Sequence, residues 1–568
     1  MPPITRFPIF IRLLALQGGA ALVWYFWKPS EPENILLMGL SAPRLVVGTA
    51  FTILIIGLLW LSISRENWLA RQREWLDEKL SDGPRAVWFA IGLGLGALFF
   101  AGAYLFTWLF FPAHLRAMFA WLGFVMLESA MLGAWLFPHA FRGAWRRWWT
   151  SLAFWRGWNR AQLATLLIMV VMGLAYFLAF VPDNFGYNPR TGRWTDMNTD
   201  EEMTYIPLSQ MYAPADTLSE RLYYLVVYED YHYGYPFYAV SALALLPNWL
   251  AYGDTLMEHW LVNVFVLRMV LNIPPVLIAA GLMSWVFTRF RRPLYALGLF
   301  ALVLSMHAFV GHNLRFWHPD ALVVLFSALT LFLLDRDDQR YGVNFYLAAA
   351  ACGLAAGTKL FGFFFALAIP VYILWGVVNR RIGWRRALIS AAGFVAVLLF
   401  VFVVSNPFLF HSAARERAWA IMTEKTGELD QGYAYDPDGI YRVGLGAWLP
   451  FLTRAFGPAV LLVFLLACGV WGAVRGPRRA TSTAVLLWFA LNAVYLIGFV
   501  AVKVTHYWLP AFVPLYALAL SPALYAEAQL ENNPIAPGAR GLRMVKWINI
   551  AIFIFYLIWN VQNTLGQI

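Results

Sequence analysis

The sequence predicts an all-α polytopic membrane protein, on three observations. Apolar runs of 18 or more residues recur along the chain, long enough for helices that cross a bilayer. Charged residues make up 13% of the chain and hydrophobic ones 61%, where a soluble domain carries about 25% charged residues; the mean hydropathy is +0.62. Lys and Arg gather in short loops between the apolar runs, which is how membrane proteins encode topology. The net charge of +11 is therefore assigned to topology and not to a nucleic-acid partner. Cys352 and Cys468 lie in apolar runs without metal or disulfide spacing.

The first apolar run, Pro8 to Trp27, has no small-residue cleavage signature and reads as a span that stays in the chain. Spans follow at Leu45 to Ser62, Ala86 to Phe111 and Met118 to Phe137. The next loop carries Arg142, Arg146, Arg147, Arg156 and Arg160 among tryptophans, a basic and aromatic interfacial segment that should face the cytoplasm. Ala161 to Phe180 then crosses to the other side. Further basic loops (Arg289 to Arg292, Arg336 to Arg340, Arg380 to Arg386, Arg475 to Arg479) face inward. Between them lie outward segments at His312 to Asp320, Asn406 to Leu445 and Lys503 to Tyr507. This alternation requires Tyr235 to Leu250, which contains Pro236 and Pro247, to be an interfacial helix and not a full span. About fifteen spans result by the 20-residue criterion, with the N-terminus inside and the C-terminus outside. Two domains are expected: residues 1–160, with about four additional spans, and 161–568, where the polar chemistry lies. The second has a large outer loop at 181–260 and a late one at 406–446.

The segment Val181 to Tyr238 is acidic and rich in tyrosine, with TDEEMTY and YEDYHYGYPFY inside it. All the unusual polar residues share its expected side. They are Asp200, Glu201 and Glu202; Asp230 and His232; Arg268; His312, Arg315, His318 and Asp320; Lys359; and Lys503 with His506. Ionisable groups at membrane depth are costly to bury and mark function by default. Group transfer needs a carboxylate to take a hydroxyl proton and cations to stabilise a leaving phosphate. Asp200 suits the base and Lys359, Arg268, Lys503 and His506 the phosphate. Glu201 is a second catalytic acid, a metal ligand or an acceptor contact. Asp230, His232, Arg315, His318 and Asp320 are candidates to hold acceptor or sugar, and a divalent ion is a candidate cofactor with Glu201, Asp230, His232, His318 and Asp320 as candidate ligands. Blander roles stand beside these: Asp200 as a loop acid or helix cap, Lys359 and Lys503 as snorkelling lysines, Arg268 as a carboxylate partner, and Arg415 to Arg442 as a solvated linker or a lid. No Rossmann or P-loop pattern offers a nucleotide site.

The layout resembles the GT-C superfamily of integral membrane glycosyltransferases, nearest to the protein O-mannosyltransferase and aminoarabinose transferase branch. Asp200-Glu201 is similar to the Asp-Glu pair of that family's first outer loop, and His232 to Tyr238 to its His-Pro-Pro-aromatic stretch, without the Pro-Pro. Arg268 stands where the next span begins with Arg. HPDALVVLF from His318 resembles a Pro-Asp-Ala segment, Gly353, Gly357 and Lys359 a Gly-Lys pattern, and KVTHYWLP a late basic element with His506 in place of Arg. The resemblance covers about Ala161 to Ile568. It implies a GT-C-like transmembrane helix bundle whose large extracytoplasmic loop bears interfacial helices. It further implies a prokaryotic plasma membrane, a polyprenyl-phosphate-linked sugar donor, inversion with an Asp base, and a lipid, protein or glycan acceptor. The partners are then this donor, membrane lipids and the acceptor, with no nucleic acid. A polytopic transporter or lipid-linked sugar flippase is the alternative, and it would need polar residues spread through the midplane.

Overall fold

The computed structural model describes residues 11–13, 15–19, 42–81, 157–184, 187–188, 193–194, 197, 199–310, 314–432, 441–532 and 538–565. The spans expected at Ala86 to Phe111 and Met118 to Phe137, the basic loop at 142–156, His312, and Asp436 and Asp438 lie outside the described residues, as does most of the first span. The chain divides into two compact units, residues 1–157 and 158–568.

In the first unit, α1 (Ala42–Ser64) is strongly apolar from Leu45 onward and α2 (Glu66–Ser81) is polar. Arg12 bridges to Glu66 at 3.3 Å and also donates to the Ser62 carbonyl.

The regular structure of the second unit is helical among its described residues, apart from a two-residue antiparallel pairing of β1 (Tyr187–Asn188) with β2 (Arg193–Trp194). It opens with α3 (Arg160–Ala179), started by a reciprocal cap between Asn159 and Gln162, and one further turn, Val181–Asn184. Next come α4 (Thr199–Met211), α5 (Leu218–Tyr224), α6 (Tyr235–Tyr252), α7 (Trp260–Leu271), α8 (Ile273–Thr288) and α9 (Pro293–Leu304). Then follow α10 (Asp320–Asp337), α11 (Val343–Thr358), a 3₁₀ segment Leu360–Ala368, α12 (Ile369–Val378) and α13 (Trp384–Val404). The chain finishes with α14 (Ser412–Gln431), α15 (Leu445–Phe456), α16 (Ala459–Arg475), α17 (Arg479–Phe499), α18 (Leu509–Tyr516), α19 (Ser521–Asn532) and α20 (Ala539–Leu565).

Among the described residues eight segments are long and apolar enough to cross a membrane, or nine if α15 and α16 form one span bent by 85°. The bend falls at Gly457, whose φ of +114° a side chain would strain, followed by Pro458. That is fewer than the fifteen spans expected from the sequence. Two of the expected spans lie outside the described residues, and α9 and α11 are apolar but only 12 and 16 residues long. Helix α10 is excluded by its charges, Asp320, Asp335, Arg336 and Asp337. The stretch expected to part into an interfacial helix and a span is one apolar segment from Tyr235 to Thr288, interrupted by a 3₁₀ turn at Gly253–His259.

Helix α10 is the spine. At 18 residues it runs about 27 Å, almost wholly buried, with polar partners at both ends. At its C-terminal end Asp335 is bridged by Arg289 and lies 3.6 Å from Arg478. At its N-terminal end Asp320 meets Lys359 and His318. Gly353 and Gly357 of α11 let α13 come close: a Cβ on Gly353 would lie 2.6 Å from the Leu398 carbonyl, and one on Gly357 2.6 Å from Ser405 Oγ. This is the small-residue packing of membrane helices.

Candidate functional site

The site begins with a loop that cannot hold its own backbone. Residues Leu314 to Pro319 enter α10 without a regular ladder, and buried carbonyls and amides must find partners. Side chains from three other segments supply them. Asn184 donates to the Leu314 carbonyl at 3.1 Å and Asn272 to the Phe316 carbonyl at 2.6 Å. The Trp317 amide donates to Glu201 Oε1 at 2.7 Å. Arg315 bridges to Asp183 at 3.0 Å, and the Trp317 indole donates to Ser241 and stacks on Phe237. A loop fixed at so many points presents His318 and Asp320 with little freedom.

Glu201 is the hub of that scaffold. It is fully buried, and Arg268 donates to both of its oxygens, Nε to Oε1 at 2.8 Å and Nη2 to Oε2 at 2.5 Å. A two-pronged guanidinium–carboxylate pair fixes direction as well as charge. Arg268 and Glu201, expected at the phosphate and in the chemistry, are thus engaged with each other, and Arg315 is engaged with Asp183. Asp200, one residue earlier in the first turn of α4, is exposed; negative charge there suits the helix N-terminus.

A second junction brings the tyrosine-rich loop onto the ends of α11 and α13. The Gly234 amide donates to the Thr358 carbonyl at 3.0 Å and the Tyr235 amide to Asn406 Oδ1 at 2.9 Å. A Cβ at Gly234 would lie 1.5 Å from the Gly357 carbonyl oxygen, so only glycine allows this approach. Pro236 then starts α6 in its first turn, where a missing N–H costs nothing. The outcome is that Tyr233 and Lys359 stand side by side.

Around them lies a buried polar cluster. Lys359 Nζ donates to Asp320 Oδ1 at 3.0 Å and sits 4.8 Å from the Tyr507 ring centre and 5.7 Å from that of Tyr233. His318 Nδ1 contacts Asp320 Oδ2, and His318 Nε2 is 2.6 Å from the Tyr233 hydroxyl. The rings of His318 and His506 are 4.6 Å apart. Burial, and then the charges of Asp200 and Asp320, hold the Tyr233 phenol well above its ordinary pKa. The phenol therefore keeps its proton at neutral pH, within hydrogen-bond distance of His318 Nε2.

Against Lys359 opens a cavity of about 210 Å³. Its charged and imidazole lining comes from His232, Lys359 and Arg415, with Asn406 beside them, and its walls are mostly apolar and aromatic, including Phe402, Phe408, Trp419 and Met422. His232 is held by Asp230, which accepts from the His232 amide at 3.0 Å and contacts its ring. Lys503, expected at the phosphate, donates to the carbonyls of Arg442 and Ala501 and lies over Trp448.

Of the residues singled out from the sequence, the fold gathers His318, Asp320, Lys359 and His506, with Asp200 and His232 at the edges. It uses Glu201, Arg268 and Arg315 as struts and Lys503 to hold a loop. Tyr233, Gly234, Asn406 and Arg415 escaped notice as individual site residues; the signal for the first two was the glycine within a run of tyrosines before proline. Among the described residues one group of three metal-ligating side chains comes together, His318, Asp320 and His506, with one ligand atom from each all within 4.8 Å of one another. No protein-family model matches this chain, and no curated protein matches it.

Proposed function

We propose that the chain is an integral membrane glycosyltransferase of GT-C type. It moves a sugar from a polyprenyl phosphate to a hydroxyl acceptor on the extracytoplasmic face, with inversion and Asp200 as general base. The observation that carries this reading is the cavity at Lys359, where two fixed cations and an imidazole stand among apolar and aromatic walls. A polyprenyl phosphate divides its surface in the same way. Its prenyl units suit the walls contributed by Phe402, Phe408, Trp419 and Met422, and its phosphate suits Lys359 and Arg415.

In the reaction the acceptor oxygen attacks the anomeric carbon. The bond from that carbon to the phosphate oxygen breaks, and the electron pair leaves with the phosphate. Lys359 and Arg415 stabilise the charge gained there, and Asp200 takes the acceptor proton. An exposed carboxylate and a cationic, largely apolar-walled pocket suit an acceptor that arrives from water and a donor that arrives from lipid.

The test is transfer from a radiolabelled polyprenyl-phosphate sugar by purified protein in lipid nanodiscs. Asp200→Asn should lower the rate by about 10²–10⁴-fold, the usual contribution of a general base, with donor binding retained. Undiminished transfer by that variant removes Asp200 from the role. Movement of the lipid-linked sugar across proteoliposome membranes, without transfer, supports a flippase instead.

A further inference from the structure

We propose that His318, Asp320 and His506 form a binding site for one divalent transition-metal ion of zinc type, held by two imidazoles and one carboxylate. The set keeps His318 and Asp320 from the ligands expected from the sequence and adds His506, since Glu201 is committed to Arg268 and Trp317 and His232 to Asp230.

Three independent features lead to this site. The first is convergence: a loop before α10 and a 3₁₀ turn at Thr505–Tyr507, far apart in the chain, bring one ligand atom each from three residues within 4.8 Å of one another. Ligands at about 2.0–2.1 Å from a tetrahedral ion stand roughly 3.4 Å apart, so small side-chain adjustments suffice to close around it. The second is that the inward-facing atoms are deeply buried and find only each other. His318 is 7% exposed and Asp320 2%, and His318 Nδ1 and Asp320 Oδ2 are turned toward each other in direct contact. Buried polar groups need partners, and an ion held between these two would give each a ligand bond in place of that mutual contact.

The third feature is that the outer atoms of the same groups are already held. Tyr233 caps His318 Nε2 at 2.6 Å and Lys359 caps Asp320 Oδ1 at 3.0 Å. Metal-binding histidines and carboxylates carry outer partners of this kind, which fix the tautomer and aim the free atom. In the metal-bound state His318 keeps its proton on Nε2 and donates it to the Tyr233 oxygen, leaving Nδ1 for the ion.

The donor set selects the class of ion. Calcium and magnesium prefer oxygen ligands, whereas two imidazoles and a carboxylate suit zinc and its neighbours. Three protein ligands leave a fourth position open, the pattern of zinc sites that bind water or substrate. The Asp320 carboxylate would then join the ion to Lys359, so an anion reaching Lys359 would find a dication one carboxylate away.

The site stands apart from the transferase reading, and its test reads metal and not activity. Full-length protein in detergent is stripped with chelator, then equilibrated with zinc alone or cobalt(II) alone. One ion per chain is expected, with a rise in Tm and a four-coordinate cobalt absorption band. His318→Gln and His506→Gln should each weaken binding by at least about 100-fold, and Tyr233→Phe by about 10-fold. Folded wild type that takes up no ion at saturating zinc overturns the site, as does binding that both histidine variants leave unchanged. Should those variants fail to fold, pulsed paramagnetic resonance of copper(II)-loaded wild type decides: two coordinated imidazoles support the site, and one or none overturns it.

Discussion

Two neighbouring acids, Asp200 and Glu201, have opposite fates for a simple reason. Successive residues of an α-helix point about 100° apart, so where Asp200 faces outward Glu201 turns into the protein. There it meets a guanidinium and an amide and is fully used. Removing one partner of a buried pair leaves an uncompensated charge, at a cost of about 3–5 kcal/mol. Glu201→Ala should therefore lower stability by that amount, seen as a drop in Tm. Combining it with Arg268→Met should recover most of the loss, because no unpaired charge remains. If Glu201 is a strut, the double variant regains transfer along with its fold. A double variant that is stable but inactive would return Glu201 to the chemistry. The sequence shows the acid pair, but which acid turns inward depends on where α4 docks, and that is tertiary information.

Among the elements, the close approach of the tyrosine-rich loop to α11 decides whether a site exists at all. Gly234 lies where a Cβ would overlap the Gly357 carbonyl oxygen. The obstacle is backbone, so it cannot swing away as a flexible side chain would. Gly234→Ala should destabilise by about 1–3 kcal/mol and push Tyr233 away from Lys359 and His318. Transfer should then fall further than the stability loss explains, whereas Gly383→Ala, in open space, should change neither. Measuring Tm and transfer rate on the two variants checks this; equal transfer rates in both would contradict it. The Gly353–Gly357 spacing is visible in the sequence as a helix-packing signal, and the end of α13 at Asn406-Pro407 is where proline puts it. That Asn406 caps the start of α6 could not be read, because the two residues meet only through the packing of α11 between their helices.

For the whole molecule, the class of protein follows from hydropathy and charge placement alone. The span count does not, since helices enclosed by other helices escape the length and charge rules that lipid imposes: α10 carries four charged residues and α11 is short. The gathering of His318, Asp320, Lys359 and His506 was half legible. Counting apolar runs leads to the expectation that they share a side; their mutual contact needs the loop that Glu201, Asn184 and Asn272 hold in place. The same spine has a second polar end, where a larger cavity of about 490 Å³ is lined by Arg475, Arg478 and Arg479 with Asp335. Two cationic cavities thus compete for any phosphate, and they differ in their walls. The cavity at Lys359 has the apolar and aromatic lining that a prenyl chain needs. The most direct measurement is an experimental structure of the protein with polyprenyl phosphate. The account predicts density for the phosphate against Lys359 and Arg415, with the first prenyl units along Phe402 and Trp419. Phosphate density at Arg475 to Arg479, with the Lys359 cavity empty, would contradict it.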